Sequence, residues 1–166
     1  SLSTYQSNSF ITAFNTNSRT LWQNEEEASY MRSDIHHFVE MVNLSKTISA
    51  ETNGAFDPTA AALFSIYDHA KREGIYMDTV QVNACMEHQG MEKMYSTERG
   101  LPYKMDSLVS LNFNAIAKGY LVDLVAEYLD TRGVTNYMVE IGGELRVRGK
   151  NAESLPWKVG VNMPIV

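Results

Sequence analysis

Apolar and polar residues follow different rhythms along this chain, and each rhythm predicts a different element. Residues 1–23 have no regular pattern: Ser, Thr and Asn dominate, with Phe10, Ile11, Phe14, Leu21 and Trp22 scattered among them. A helical rhythm follows. Met31, Ile35, Phe38, Val39 and Val42 recur at helical spacing and share one face. Asn24 with Glu27 makes a capping-box pattern, and Glu25, Glu26 and Glu27 put negative charge at the positive end of the helix dipole. This helix runs to about Ala50, with Gly54 just beyond. A second helix is predicted with Asp57 as N-cap and Pro58 at the first helical position, where a missing N–H does no harm. Thr59, Leu63, Ile66, Tyr67 and Ala70 line one face of it, and Gly74 ends it.

Residues 75–110 read as mixed turn and β. Val80 and Val82 alternate, Lys71-Arg72-Glu73 and Glu92-Lys93 are solvated charge, and Ser107 to Phe113 has the look of a strand. Asn114 then caps a third helix, in which Leu121, Leu124, Val125 and Tyr128 repeat, with Val122 and Leu129 beside them, before Gly133. A β-meander closes the chain. Tyr137, Val139 and Ile141 alternate, Gly142-Gly143 suits a two-residue hairpin turn, and Leu145 and Val147 return. A second turn around Gly149 to Pro156 leads to Trp157, Val159 and Val161. Helices, a mixed segment, a helix and then strands predict an α+β fold: one domain over residues 1–166, with helices packed on a mainly antiparallel sheet.

Composition narrows the function classes. With 166 residues, 44% hydrophobic and 20% charged, the chain can bury a core without a disulfide or metal staple. Fourteen Lys and Arg face 20 Asp and Glu, a net charge of −6, and no basic cluster offers a footprint for nucleic acid or an anionic membrane. The single Cys85 can form neither an internal disulfide nor a Cys-based zinc site. No apolar run approaches the roughly 18 residues of a membrane span. No initiator Met or signal sequence is present, and the chain opens mid-pattern at Ser1 and stops at Val166 after a strand-like run. It is therefore expected to be a piece of something longer.

Three segments could carry chemistry. Thr52 to Thr59 is a helix entrance that either caps itself through Asp57 or turns its free N–H groups to a ligand such as phosphate or a flavin edge. Asn112 to Tyr120 is a small-residue helix entrance. Gly119 costs about 1 kcal/mol relative to Ala there, so close packing or a close ligand accounts for it. Lys118 either screens a phosphate or is merely solvated. Glu140 to Leu145 is a hairpin turn. Adjacent His36 and His37 point about 100° apart on a helix and cannot share one ion, and His69 and His88 have no partner at ligand spacing.

Taken in order, Leu2-Ser3-Thr4-Tyr5, Thr52 to Thr59, Asn114 to Asp123, Ile141-Gly142-Gly143-Glu144 and Trp157 to Val161 resemble the ApbE family, the FAD:protein FMN transferases. The resemblance spans almost the whole chain. It implies an incomplete ApbE-like domain that lacks the N-terminal strand and the C-terminal metal-binding segment. It also implies binding of FAD and Mg²⁺, with transfer of FMN from FAD to a threonine hydroxyl of a target protein and release of AMP. An FAD pyrophosphatase giving FMN and AMP, or a non-catalytic FAD-binding protein of the cell envelope, are the alternatives it leaves open. By the same resemblance, Tyr5 contacts the flavin, Ala55, Phe56 and Asp57 line the FAD site, and Asn114 and Tyr120 flank the turn that holds the cofactor, with Lys118 in support. Ala117 offers its backbone carbonyl to the metal. A carbonyl so used cannot fully accept the Leu121 N–H, so the regular helix is expected to start near Lys118 or later. Asn112 stands where many members have Asp, and Asn114 where Ser is common. The resemblance places the protein on the periplasmic side of a bacterial cell envelope, tied to the membrane only through a lipid anchor outside residues 1–166. For this length of chain it implies weak or no transferase activity.

Overall fold

The computed structural model describes residues 10–16, 32–98 and 100–161. Its contacts divide the chain into two compact units, Ser1–Phe113 and Asn114–Val166, where the sequence suggested one domain.

In the first unit α1 (Phe10–Thr16), α2 (Arg32–Glu51), α3 (Ala61–Glu73) and α4 (Thr79–Met86) are followed by a short 3₁₀ turn and the strands β1 (Met94–Ser96) and β2 (Pro102–Lys104). The expected Asn24 cap and the contribution of Met31 lie outside the described residues. What is described of α2 bears out the helical rhythm: Phe38, Met41, Val42, Ser45 and Ser49 are buried along it. The Phe14 and Phe38 rings meet at 5.4 Å, and Phe38 and Phe113 at 6.1 Å, so α1, α2 and the end of the unit share one aromatic core.

Four sequence expectations change here. The second helix starts at Ala61, not at Pro58, and its N-cap Ala60 makes no side-chain cap bond. Asp57 is not the cap, because its carboxylate is used one turn earlier (below). Gly74 does end the helix, in the left-handed conformation at φ 65°, with its N–H on the Ala70 carbonyl. Second, Val80 and Val82 sit on helix α4, not in a strand. Asp78 caps that helix by accepting the Val80 N–H at 2.9 Å, and this decides the local conformation over the alternation. Third, Ser107–Phe113 forms only an isolated parallel bridge, Ala60 with Ser110. Its alternation is real, since Val109, Leu111 and Phe113 are all buried. A side chain stands in for a partner strand: the Asn15 amide donates to the Leu111 carbonyl at 2.9 Å and accepts the Leu111 N–H at 2.8 Å. Fourth, Trp157–Val161 is not a third strand. Only a Lys150–Pro156 bridge follows the hairpin, with the Trp157 indole N–H donating to the Arg148 carbonyl at 3.0 Å.

Lys104 is buried at the heart of the first unit. Its ammonium donates to the carbonyls of Val109 at 2.7 Å, Ser107 at 3.2 Å and Asn15 at 3.5 Å, and lies 4.9 Å from the Phe14 ring centroid. Burial pushes its pKa below the usual lysine value, and nearby Asp106 opposes that shift.

The second unit is α5 (Asn114–Thr131) laid on an antiparallel hairpin of β3 (Tyr137–Ile141) and β4 (Glu144–Arg148). The predicted turn holds: Gly142 and Gly143 have φ of 60° and 99°, as a type I′ connection requires. Val122, Ala126, Tyr137 and Val139 form the core, with Leu129, Val134 and Ile141 against it. The helix face in use is thus 122–126–129; Leu121, Val125 and Tyr128, one position round, are exposed. The fold is α+β as expected, but among the described residues its antiparallel pairing is two separate two-stranded sheets, β1–β2 and β3–β4.

Candidate functional site

The end of α2 and the start of α3 are joined by a tightly bonded turn. Asn53 and Gly54 both take left-handed φ, 51° and 80°, and the Gly54 N–H returns to the Ser49 carbonyl at 2.8 Å. Thr52 then ties both directions: its hydroxyl donates to the Ile48 carbonyl at 2.7 Å and accepts the Phe56 N–H at 3.1 Å. Asp57 follows. Its Oδ1 accepts the Thr59 N–H at 2.9 Å and the Thr59 hydroxyl at 2.6 Å, and that hydroxyl in turn accepts the Gly90 N–H at 2.7 Å. Thr59 is 1% exposed, so this relay is shielded from water. The Pro58 carbonyl accepts the Asn112 N–H at 2.8 Å. Residues 57–60 are therefore held by the 110–112 segment and by Gly90, which is why α3 cannot begin among them.

A cleft of about 430 Å³ opens beside this turn, lined among others by Lys46, Ser49, Asn53, Gly54, Asp57 and Glu92. Its size falls within the range of small-molecule pockets. Lys46 donates to Ser96 Oγ at 3.0 Å, and burial lowers its pKa. Two carboxylates in the lining disfavour a bare phosphate and suit a ligand rich in hydroxyl or N–H donors. Of the three neighbouring residues expected at a flavin site, Asp57 lines this cleft; Phe56 is half-buried, Ala55 is exposed, and neither lines it. Tyr5 lies outside the described residues.

The other candidate residues belong to the second unit. Helix α5 runs unbroken from Asn114 to Thr131, four residues ahead of the expected start near Lys118. Ala117 therefore sits inside regular helix, where the ordinary partner of its carbonyl is the Leu121 N–H. The helix thus starts earlier than expected for a carbonyl given over to a metal. Among the described residues no group of three or more His, Cys, Asp or Glu could hold a metal ion. Lys118 is not merely solvated: its ammonium donates to the Gly142 carbonyl at 2.9 Å and pairs with Glu144 at 2.6 Å, clamping the hairpin turn to the helix. That contact holds the Glu144 carboxyl below its usual pKa. Tyr120 is half-buried and Asn114 exposed at the first position of the helix.

One pair escaped the sequence reading. His88 Nδ1 lies 2.6 Å from Asp106 Oδ2, while Asp106 Oδ1 accepts the Leu108 N–H at 2.9 Å. The His88 bond, then the Leu108 bond, hold the Asp106 pKa below its ordinary value. His88 and Cys85 also line a smaller cavity of about 240 Å³ that reaches Thr59. Eighteen residues separate His88 from Asp106, and no local spacing rule links them.

Comparison with known proteins agrees with this architecture. A sequence model of the ApbE family matches residues 1–165. The chain is 34% identical over 117 residues to the FAD:protein FMN transferase of Vibrio cholerae serotype O1, covering 69% of this chain and 35% of the relative. To that of Haemophilus influenzae it is 31% identical over 168 residues, covering 98% and 46%. The solved flavin transferase ApbE from Vibrio cholerae superposes with a TM-score of 0.77 at 29% identity, over 98% of this chain and 50% of that one. The apo flavinyl transferase ApbE of Pseudomonas stutzeri gives 0.74 at 27%, over 95% and 50%. The chain thus spans about half the length, or less, of these relatives. With a family match from end to end and the same fold in two solved relatives, this chain belongs to the ApbE family.

Proposed function

We propose that the protein works as an FAD:protein FMN transferase, moving FMN from FAD to a threonine hydroxyl of a target protein and releasing AMP. The observation that supports this reading is the match to the ApbE family over residues 1–165, shared with relatives named for that activity. In the reaction the acceptor oxygen forms a new bond to the FMN phosphorus as the bond to the AMP oxygen breaks, and the proton of the hydroxyl is released. Transfer of this kind depends on positioning and charge stabilisation more than on covalent chemistry by the protein.

The share of that work proposed for these residues is to hold FAD. Asp57 is the most constrained of them: Thr59 fixes Oδ1, so the carboxylate is pre-set to accept a ligand hydroxyl or N–H from the cleft through its other oxygen. Ala55, Phe56, Asn114, Lys118, Tyr120 and Tyr5 are proposed as further FAD contacts on the family resemblance alone. Mg²⁺ is proposed as part of the whole reaction, with no ligand assigned in this chain. A periplasmic site of action in a bacterial envelope, with a lipid anchor supplied outside residues 1–166, is proposed on the same basis. Among the described residues no helix is long and apolar enough to cross a membrane.

Titration of the full-length protein with FAD tests the reading. Saturable quenching of flavin fluorescence that weakens in Asp57→Ala is the expected result, and absence of binding overturns it. Incubation of the full-length protein with FAD, Mg²⁺ and a threonine-bearing target then separates the activities. Covalent flavin on the target marks the transferase, free FMN with AMP marks a pyrophosphatase, and intact bound FAD marks a non-catalytic binder.

A further inference from the structure

Cys85 and His88 converge on one cavity. Cys85 lies near the end of α4, and His88 follows one turn later, its N–H donating to the Cys85 carbonyl at 3.0 Å. Side chains three positions apart on such a turn are neighbours, about 5–6 Å between Cβ atoms. Both line the cavity of about 240 Å³, whose other walls are Thr59, Ala62, Ala84 and Leu108. The Thr59 hydroxyl is already committed to Asp57 and Gly90, which leaves the thiol and the imidazole to meet a ligand there. Cys85 thus supplies the partner that histidine spacing alone did not give His88. The imidazole is also aimed. A carboxylate only accepts, so the 2.6 Å contact with Asp106 Oδ2 puts the hydrogen of a neutral ring on Nδ1 and leaves a lone pair on Nε2. Carboxylates hold metal-binding histidines in this way, fixing tautomer and orientation. Asp106 is held in turn by the Leu108 N–H at 2.9 Å. The His88 and Asp106 side chains keep 33% and 31% exposure, so an ion can reach the ring from solvent.

One sulfur and one nitrogen are too few for a tetrahedral zinc site and lack the oxygens that a hard cation requires. They suit a soft ion that accepts a pair of ligands in line, and thiolate selects Cu(I). We propose that Cys85 Sγ and His88 Nε2 form a binding site for Cu(I), with Asp106 as the positioning residue behind His88. On binding, S–Cu and N–Cu bonds form, the thiol S–H bond breaks and its proton passes to water. Thiolate and Cu(I) cancel in charge, so the bound pair sits against Ala62, Ala84 and Leu108 without the cost of a buried net charge. The cavity shares no lining residue with the cleft beside Asp57, and the proposal stands whether or not that cleft holds FAD.

The test is titration of the full-length protein with Cu(I), anaerobically and under reducing conditions, against a coloured Cu(I) chelator. The parent is expected to withhold one equivalent more than Cys85→Ser. His88→Leu and Asp106→Asn should hold that ion roughly tenfold or more weakly, the usual loss when the shell behind a metal ligand is removed. Asp106→Glu, which keeps the carboxylate, should recover part of the affinity. X-ray absorption at the copper edge of the loaded parent depends on no variant folding, and should show both a sulfur and an imidazole nitrogen bound to copper. Equal uptake by the parent and Cys85→Ser overturns the proposal. Loss in Cys85→Ser with His88→Leu unchanged also overturns it, in favour of an ordinary thiol, as does an absorption spectrum with sulfur and no imidazole. Unchanged affinity in Asp106→Asn overturns the positioning role of Asp106.

Discussion

The Thr59 hydroxyl donates to Asp57 Oδ1 at 2.6 Å while accepting the Gly90 N–H at 2.7 Å, so one buried side chain joins the turn after α2 to a segment 31 residues away. Replacing it with the near-isosteric Val keeps the shape and removes the relay. Thr59→Val leaves the Gly90 N–H without its acceptor in a shielded site, which costs about 1–3 kcal/mol. Urea unfolding of Thr59→Val against Thr59→Ser, which keeps the hydroxyl, checks this; equal midpoints for the two variants would show that the relay contributes nothing.

Asp57→Asn separates charge from scaffold. The amide oxygen can still accept the Thr59 N–H, so the turn should persist. The charged acceptor proposed for FAD is lost, and a charge-assisted hydrogen bond is worth about 1.5–3 kcal/mol. Roughly tenfold or greater weakening of FAD binding is expected, with little change in thermal midpoint. Unchanged affinity would remove Asp57 from the proposed site.

Lys104→Met keeps the stem and deletes the ammonium that serves three carbonyls. Those acceptors are then left under-satisfied around a side chain that is 4% exposed. A loss of about 1–3 kcal/mol is expected from denaturant titration. A neutral or stabilising result would mean that burying the charge costs as much as its bonds return.

Acid should loosen the His88–Asp106 contact. The folded pKa of Asp106 is below its ordinary value of 3.8, so the unfolded chain binds the proton more readily. The stability from this group is therefore complete above pH 3.8 and disappears as pH falls through the lowered folded value. Asp106→Asn should be less stable than the parent at pH 6, with the gap closing below pH 3.8; thermal melts across that range measure it. A gap independent of pH would exclude the carboxylate as its source.

Lys118–Glu144, Asp123–Arg146 and Asp130–Arg148 form a ladder between α5 and the β4 face turned toward it, with separations of 2.6, 2.9 and 2.5 Å. These pairs are well exposed, so salt should weaken them as the screening length shrinks from about 30 Å at 0.01 M to about 3 Å at 1 M. Asp130→Arg should lower the melting temperature, and adding Arg148→Asp should recover part of the loss at low salt but not at 1 M. Failure of the double variant to recover at low salt would show that the contact is incidental.

Much of the architecture was open to reading from local pattern. Gly142-Gly143 specifies its own hairpin because two successive positive φ values are strained for any residue with a Cβ. Gly74 ends its helix for the same reason. The periodicity of Phe38 and Val42 marks a helix whatever surrounds it. The motifs that tie the chain to the ApbE family are likewise a property of the sequence, confirmed by the match over residues 1–165.

What local pattern could not supply was every feature set by a partner distant in sequence. Asp57 looks like a cap until Thr59, Gly90 and Asn112 claim the stretch from 57 to 59, and the helix then has to wait until Ala61. Leu111 has the alternation of a strand, but Asn15, 96 residues away, takes its backbone groups. Leu145 and Val147 continue the alternation of β3, yet the register turns them to the far face and sends Arg146 and Arg148 toward the helix. Periodicity counts positions along one segment; which face meets the core depends on where the chain returns, and only the folded structure decides that.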